Sequence, residues 1–127
     1  MAVIGDTFFV TDRKLNSHLF VIISDPSQDP GQIVTVNFTS WSDQKDQSCI
    51  VNPGDHKLIS RRSCVYYANQ RFSLQDYERW VARQDVVPQD PVSEELLERI
   101  LRGAAMSQFM PRASKRILAN QGLTNSE

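Results

Sequence analysis

The sequence predicts a mainly β protein, a small antiparallel barrel or sandwich with helices toward its C-terminus. Two apolar runs, Leu19–Ile23 and Ile33–Phe38, are rich in Val, Ile and Phe, which favour a pleated and packed surface. The loop DPSQDPG between them carries two prolines and a glycine, residues typical of a turn, so the two runs form an antiparallel pair. An apolar stripe at helical spacing within 91–106 predicts a helix that covers one face of the sheet.

Four further short strands complete the predicted sheet. They are Thr7–Val10, SCIV at 48–51, His56–Ile59 and Cys64–Ala68. Turn signals separate them: Gly5–Asp6 precedes the first strand, and in NPGD at 52–55 proline fixes φ while glycine accepts a positive φ. Several short strands at this spacing are typical of a small barrel or sandwich.

In the second half of the chain, the apolar residues recur at helical spacing and no longer form short strand-like runs. Ser73 lies at the position of a helix N-cap before LQDYERWVAR, whose apolar residues share one face. Asp90 as N-cap and Pro91 as first residue predict the start of the main helix, 91–106. The segment RASKRIL at 112–118 predicts a short last helix.

The length of 127 residues predicts a single domain. Its parts are a β-barrel core at 3–72, helical segments covering the sheet at 73–106 and a C-terminal extension at 107–127. The formal net charge of −1 does not indicate a class of binding partner. The sequence has neither an apolar stretch long enough to span a bilayer nor a secretory pattern, so we expect a cytoplasmic protein with no membrane partner. In that compartment Cys49 and Cys64 are expected to be free and buried.

Two polar residues stand at matching ends of the two central strands. His18 precedes the first strand and Thr39 ends the second, so antiparallel pairing brings them to the same end of the sheet. Histidine exchanges protons near neutral pH, which suits general acid–base catalysis. His56, the only other histidine, is a candidate for the complementary acid or base. The alternative that both are ordinary polar residues at a strand end and a turn stays open.

The cysteines and histidines fit no standard zinc spacing, and no nucleotide-binding or hydrolase glycine motif occurs, so we expect no metal and no cofactor. Cationic residues are grouped in two regions and predict a phosphate-attracting face. They are Arg13, Lys14, Lys57, Arg61, Arg62, Arg71, Arg79 and Arg83. Aromatic residues that could stack on unpaired bases are Trp41, Tyr66, Tyr67 and Phe72. A solvated charged face over core aromatics remains the alternative.

Short motifs follow one another along the chain in a definite order. Gly5–Asp6 opens the first strand, His18–Ser24 contains the second, Thr39–Ser40 closes the third, and Ser63 is followed by Arg71 eight residues on. This order resembles the MazF/PemK family of toxin ribonucleases. In that family Gly-Asp opens the first strand, an Arg-Pro leads an apolar strand, and a later strand ends in Thr or Thr-Ser.

The resemblance covers roughly residues 3–106. It implies an SH3-like antiparallel barrel with a C-terminal helix, usually homodimeric, that cleaves single-stranded RNA without a metal and is opposed by an antitoxin protein. His18 stands where the family has its catalytic arginine, and Leu19 replaces the neighbouring proline. Thr39 keeps the second active-site position. The segment 73–85 looks inserted relative to the family.

The preferred hypothesis is a toxin-like endoribonuclease in which the RNA 2′-hydroxyl attacks its own phosphodiester. Its predicted catalytic residues are His18, Thr39 and His56. Its predicted substrate contacts are Arg13, Lys14, Ser40, Trp41, Arg61, Arg62, Ser63 and Arg71. The alternative is a non-catalytic module that uses the same barrel to bind a protein or nucleic acid, as a gyrase poison does. Trp80, Phe109 and Met110 are predicted as exposed apolar residues for a homodimer.

Overall fold

The computed structural model describes residues 2–11 and 18–125 and contains an antiparallel sheet with three α-helices. The elements are β1 (Thr7–Val10), β2 (Leu19–Ile22), β3 (Thr35–Ser40), β4 (Ile50–Val51), β5 (Ser63–Tyr66), α1 (Leu74–Ala82), β6 (Val86–Gln89), α2 (Glu94–Met106) and α3 (Arg112–Asn120). The prediction of a mainly β protein with helices in its second half is therefore confirmed. None of the helices in these two ranges is long and apolar enough to cross a membrane.

The strands lie side by side in the order β4-β5-β3-β2-β1-β6, and every neighbouring pair is antiparallel. Within the described ranges the sheet is open, because no pairing joins β4 to β6. The predicted pairing of β2 with β3 is confirmed, with Phe20 opposite Asn37 and Ile22 opposite Thr35. β6 extends the sheet beyond the predicted core at 3–72, since α1 reverses the chain and returns it alongside β1.

One face of the sheet, here called the inner face, is covered by α2 and α3. Alternation along the strands points apolar side chains to this side, where they form the larger core cluster. Its fully buried members include Val21, Val36 and Val65 from the strands and Ile100 and Leu118 from the helices. Each such side chain contributes roughly 1.5–3 kcal/mol when it leaves water. The expected packing of the main helix on the sheet is therefore confirmed.

The opposite, outer face is only half covered. α1 and the segment before it pack on one part of it, the closed half, through Phe8, Ile22, Ile33, Phe72, Tyr77, Trp80 and Val86. The Phe8 ring lies 5.3 Å from both the Phe20 and the Tyr77 rings, in stacked and edge-on arrangements. The remaining part, the open half, carries His18, Asn37, Thr39 and Tyr66, and no helix covers it. α1 starts where predicted, with the Ser73 hydroxyl accepting the Asp76 N–H at 3.0 Å.

α2 begins later than predicted, because the backbone at Asp90 is held extended. The Asp90 carbonyl accepts the Thr7 hydroxyl at 2.6 Å, and the Val92 N–H donates to the Gly5 carbonyl at 3.0 Å. These bonds fasten the segment to the start of β1. Ser93 is the actual N-cap, and its hydroxyl accepts a first-turn N–H at 3.1 Å.

The predicted strand His56–Ile59 is wrong. This segment is a turn, in which the Ile59 N–H donates to the His56 carbonyl at 3.0 Å. The predicted strand Thr7–Val10 has the predicted bounds, and the remaining predicted strands are present with shifted ends. Ile33 forms only an isolated bridge with Phe72. Cys49 and Cys64 are free and buried, as expected.

The outermost strands, β4 and β6, are both short. β6 contains Pro88, which has no N–H to offer along the edge. On β4, the Arg99 guanidinium donates to the Ile50 carbonyl at 2.7 Å and forms an ion pair with Asp55 at 3.2 Å. Each outer strand therefore exposes fewer backbone groups than a plain edge strand would.

Candidate functional site

The open half of the outer face forms a pocket of ≈ 580 Å³. Its floor is provided by β2, β3 and β5, and its rim by the loop after β3, the segment after β5 and the connection between α2 and α3. The side chains that line it include His18, Phe20, Asn37, Thr39, Lys45, Asp46, Cys64, Tyr66, Asn69 and Phe109. The pocket exists because α1 covers only the closed half of the outer face.

His18 and Thr39 both line this pocket, as the strand-end pairing predicts. The β2–β3 register, continued by two residues beyond Phe20 and Asn37, places them opposite each other. The His18 Nδ1 lies 3.1 Å from the Phe38 carbonyl oxygen. A carbonyl only accepts, so Nδ1 carries the proton and Nε2 is the nitrogen that exchanges one.

Lys45 brings a positive charge to the same place. Its Nζ donates to the Thr39 hydroxyl at 3.0 Å and to the Ser40 carbonyl at 2.7 Å. The loop that carries it is closed by Gln47, whose Nε2 donates to the carbonyls of Ser42 and Lys45 at 2.8 and 2.7 Å. Our sequence prediction missed Lys45, because nothing in the polar run WSDQKDQ indicates that the loop folds back over Thr39.

Asp46 fastens this loop to the end of α2. One carboxylate oxygen accepts the backbone N–H and hydroxyl of Ser48, and the other accepts the Ser107 hydroxyl at 2.6 Å. Burial raises the pKa of Asp46, but the hydrogen bonds from Ser107 and Ser48 outweigh it, so the pKa lies below its usual range. The carboxylate is therefore charged at neutral pH and holds the loop in place.

Two carboxamides lie deeper in the pocket. Asn37 is buried in the middle of β3, between Phe20 on β2 and Tyr66 on β5. Its Oδ1 accepts the Asn69 Nδ2 at 2.9 Å. Sequence analysis missed both asparagines; a polar residue in the run IVTVNFTS was the available signal, since Asn is depleted in strands.

Cys64 lies beneath the pocket, opposite Thr39, and is 1% exposed. Burial raises the pKa of its thiol, although the positive charge of Lys45 acts in the other direction. The thiol is therefore protonated at neutral pH, and Cys64 is not set up as a nucleophile.

His56 does not reach this pocket. Its ring is buried, Nδ1 accepts the Leu58 N–H at 3.1 Å, and Nε2 lies 2.8 Å from the Asp90 carbonyl oxygen. Since Nδ1 accepts, Nε2 holds the proton and donates it to that carbonyl. The His56 ring thus ties a turn to the segment before α2. The geometry gives no support to His56 as a second acid–base group beside His18.

Several predicted substrate contacts have structural partners away from the pocket. The Arg62 guanidinium lies 4.3 Å from the centre of the Trp41 ring, and the Trp41 indole N–H donates to Gln47 at 2.8 Å. The buried Ser63 hydroxyl donates to the Arg61 carbonyl at 2.9 Å. All four belong to the end of the sheet beside Thr39, but none lines the pocket.

Arg71 was also predicted to contact substrate, yet it links other parts of the fold. It donates to Gln32 at 2.8 Å and to Ser114 at 2.9 Å, which joins the β2–β3 loop to α3. Ser40 is exposed, and only its carbonyl takes part in the site, as an acceptor for Lys45. Arg13 and Lys14 lie outside the described residues.

Two of the predicted stacking residues, Tyr66 and Tyr67, line the pocket, but only the Tyr66 side chain is exposed. Tyr67 is in the inner core, where its hydroxyl donates to the Ile100 carbonyl at 2.7 Å, and Phe72 belongs to the closed half. Among the predicted dimer contacts, Phe109 is exposed, whereas Met110 is buried and Trp80 is half-buried against Phe72. The expectation of three exposed apolar residues was therefore wrong for two of them.

Across residues 2–11 and 18–125, no group of three or more His, Cys, Asp or Glu side chains could hold a metal ion. Comparison with known proteins gives no match to a family model, to a curated protein or to a solved structure. The functional conclusion therefore depends on the chemistry of the pocket.

Proposed function

We propose that this protein is a toxin-like endoribonuclease that cleaves single-stranded RNA by metal-independent transesterification. The observation that carries the proposal is the meeting of His18, Thr39 and Lys45 at one end of the pocket. They supply a group that exchanges protons, a hydroxyl and a positive charge. Together these are the groups that an in-line attack by a ribose hydroxyl requires.

In the proposed reaction, His18 Nε2 removes the proton from the 2′-hydroxyl as its oxygen bonds to the phosphorus. The Thr39 hydroxyl and the Lys45 ammonium hydrogen-bond the non-bridging phosphate oxygens, where negative charge develops. The bond from phosphorus to the 5′-oxygen then breaks, and that oxygen takes a proton from Lys45. The products are a 2′,3′-cyclic phosphate and a 5′-hydroxyl, and both side chains regain their starting protonation from solvent.

The finer features of the MazF/PemK resemblance belong to the same proposal. We infer an SH3-like barrel, since the strands are short and antiparallel and Gly5, at φ 94°, forms the turn that opens β1. A homodimer, an antitoxin partner and a cytoplasmic location follow from that resemblance. The exposed side chains of Met106 and Phe109 offer apolar surface for such a partner.

A second candidate is an RNA-binding module without catalysis. The position of His56 outside the pocket favours this candidate. Within the described ranges, His18 is then the one histidine that lines the pocket, so no second histidine is there to act as the acid. If Lys45 does not act as the acid, the pocket binds RNA but lacks half of an acid–base pair.

The test compares single-stranded RNA cleavage by wild type and His18→Ala in excess EDTA. The substitution should slow cleavage by about 10²–10⁴-fold, the usual size of a general acid–base contribution. Lys45→Ala should also slow it, whereas Lys115→Ala, which removes a lysine on α3 that donates to the Ala105 carbonyl at 3.3 Å, is the matched control and should not. His18→Arg, which restores the family residue, should flatten the pH profile if it retains activity.

Equal rates for wild type and His18→Ala would show that His18 is not the catalyst. Products without a 2′,3′-cyclic phosphate would contradict attack by the 2′-hydroxyl. If neither protein cleaves any RNA but both bind it, the binding module replaces the enzyme as the conclusion.

A further inference from the structure

A row of three side chains crosses the floor of the pocket. The strand register places Phe20 and Tyr66 on either side of Asn37, so a carboxamide lies between two aromatic rings. Directly opposed residues in an antiparallel sheet lie about 4.5–5.5 Å apart. Asn37 is 5% exposed, and a buried carboxamide destabilises a fold unless it is hydrogen-bonded. This placement suggests a role other than packing.

Asn37 positions a second carboxamide, that of Asn69. The Asn69 Nδ2 donates one of its two hydrogens to Asn37 at 2.9 Å, which fixes the plane of the Asn69 amide at the pocket wall. Among the described residues, the second Nδ2 hydrogen and the Oδ1 of Asn69 have no hydrogen-bond partner. The pocket therefore contains one donor and one acceptor side by side.

The exposed Tyr66 ring completes the arrangement. It is 48% exposed on β5, the second strand from one edge of the sheet, and it lines the pocket, so its ring is accessible from the pocket. Aromatic side chains held on a sheet surface stack unpaired bases, at roughly 1–3 kcal/mol per base. A planar heterocycle lying against Tyr66 would bring its polar edge toward Asn69.

We infer that Asn69, oriented by Asn37, reads one unpaired base of the RNA, and that the preferred base is adenine. The inference rests on the proposed function, because it assigns the base next to the cleaved phosphodiester. On the edge that carries N7, adenine presents a donor, its N6 amine, beside an acceptor nitrogen, whereas guanine presents two acceptors there and the pyrimidines have no N7. Asparagine pairs with the adenine N6 and N7 in a bidentate manner.

The spacing of the two rows supports this assignment. The row of His18 and Thr39 lies two residues along the strands from the row of Phe20 and Asn37. Two residues of strand span roughly 7 Å. That length is comparable to the reach from a nucleobase to its own phosphodiester, so the base can stack on Tyr66 while the phosphate lies at His18.

The experiment maps cleavage sites on an RNA of randomised sequence with wild type, Asn69→Ala and Asn69→Asp. Wild type should cleave next to adenine, and Asn69→Ala should lose roughly 5- to 150-fold of that discrimination, the range for one bidentate base contact. Asn69→Asp replaces the donor by an acceptor, which cannot pair with the adenine N7, so the preference for adenine should be lost here too. Asn120→Ala removes an exposed carboxamide on α3 and is the matched control.

Adenosine 3′-monophosphate binding, measured by NMR titration against the three other nucleotides, separates the two conclusions. Cleavage with no base preference, or with a preference that Asn69→Ala leaves unchanged, would overturn the base contact and leave the nuclease intact. Preferential adenosine nucleotide binding that Asn69→Ala abolishes, without any RNA cleavage, would support the base contact and contradict the nuclease. If no nucleotide binds and no RNA is cleaved, both are wrong.

Discussion

The closed and open halves of the outer face lie on the same sheet, yet one is packed and the other is accessible. In the closed half, Phe8 is 2% exposed and contacts aromatic rings from β2 and α1. In the open half, Tyr66 is 48% exposed on an equally regular strand. The difference lies in what covers the sheet, because both halves have the same alternation of side chains.

α1 is short compared with the width of the sheet. Its nine residues span about 13 Å. Six strands side by side span roughly 24 Å. A helix of this length leaves part of the face without a cover, and that part carries the polar side chains. The pocket is the part of the outer face that α1 leaves uncovered, and its exposed side chains, such as Tyr66, should contribute little to stability.

The strongest test of the comparison is Phe8→Ala in the closed half. Removing a buried ring that touches three other aromatic side chains should lower the free energy of unfolding by about 3–5 kcal/mol. Urea denaturation followed by circular dichroism measures the change. A loss below 1 kcal/mol would mean that the closed half is not packed as described.

The inner face offers a second test, at Gly103 in α2. A methyl group there would overlap the Tyr67 hydroxyl and lie 2.9 Å from both the Cys49 Cβ and the Ser48 carbonyl oxygen. Gly103→Ala should therefore destabilise the protein by about 1–3 kcal/mol, although alanine is the better helix former. Ala105→Gly, at an exposed position of the same helix, controls for helix propensity. Stabilisation by Gly103→Ala in thermal unfolding would contradict the close approach of α2 to the sheet.

Replacing Asp46, at the rim of the open half, should have an intermediate effect on stability, and this effect should depend on pH. Its folded pKa is depressed, so the stability it contributes is present above its unfolded pKa of about 3.9 and is lost as pH falls through the lower folded value. Asp46→Asn should lower stability at pH 7 by about 1 kcal/mol and flatten the decline below pH 4. Unfolding midpoints from pH 7 to pH 2.5 measure this, and parallel curves for both proteins would contradict it.

The smallest effect on stability is expected for Tyr66→Ala in the open half. A half-exposed ring contributes little to packing, so the free energy of unfolding should change by about 0.5 kcal/mol or less. Binding of single-stranded RNA, measured by fluorescence anisotropy, should weaken by roughly 1–3 kcal/mol if the ring stacks on a base. A large loss of stability with unchanged RNA binding would reverse the roles assigned to the two halves.

The spacing of apolar residues, together with turn and cap residues, predicted most of the strands and helices. These features lie within a few residues of the element that they indicate. The β2–β3 register, and with it the meeting of His18 and Thr39, follows from apolar alternation and one turn. The start of α2 was misplaced because the bonds that hold Asp90 extended come from Thr7, at the other end of the chain. Such long-range backbone contacts leave no local signal.

The site was predicted only where it depends on strand pairing. The sequence around His56 is typical of an exposed turn. The ring is buried instead, and it bonds to the carbonyl of Asp90, which lies 34 residues further along the chain. Lys45 enters the site through the conformation of a loop, and Asn69 through a hydrogen bond to Asn37 across the sheet. Residue type and spacing alone do not determine either arrangement.

The two outer strands bear on how copies of this protein meet. Pro88 on β6, and the Arg99 side chain that occupies the Ile50 carbonyl on β4, each remove a backbone group that an incoming strand would need. Fibrillar growth by strand addition is therefore disfavoured at both ends of the sheet, even at the high local concentrations of an overexpressed protein. Side-chain surfaces are therefore a more favourable route to self-association than the two edges of the sheet.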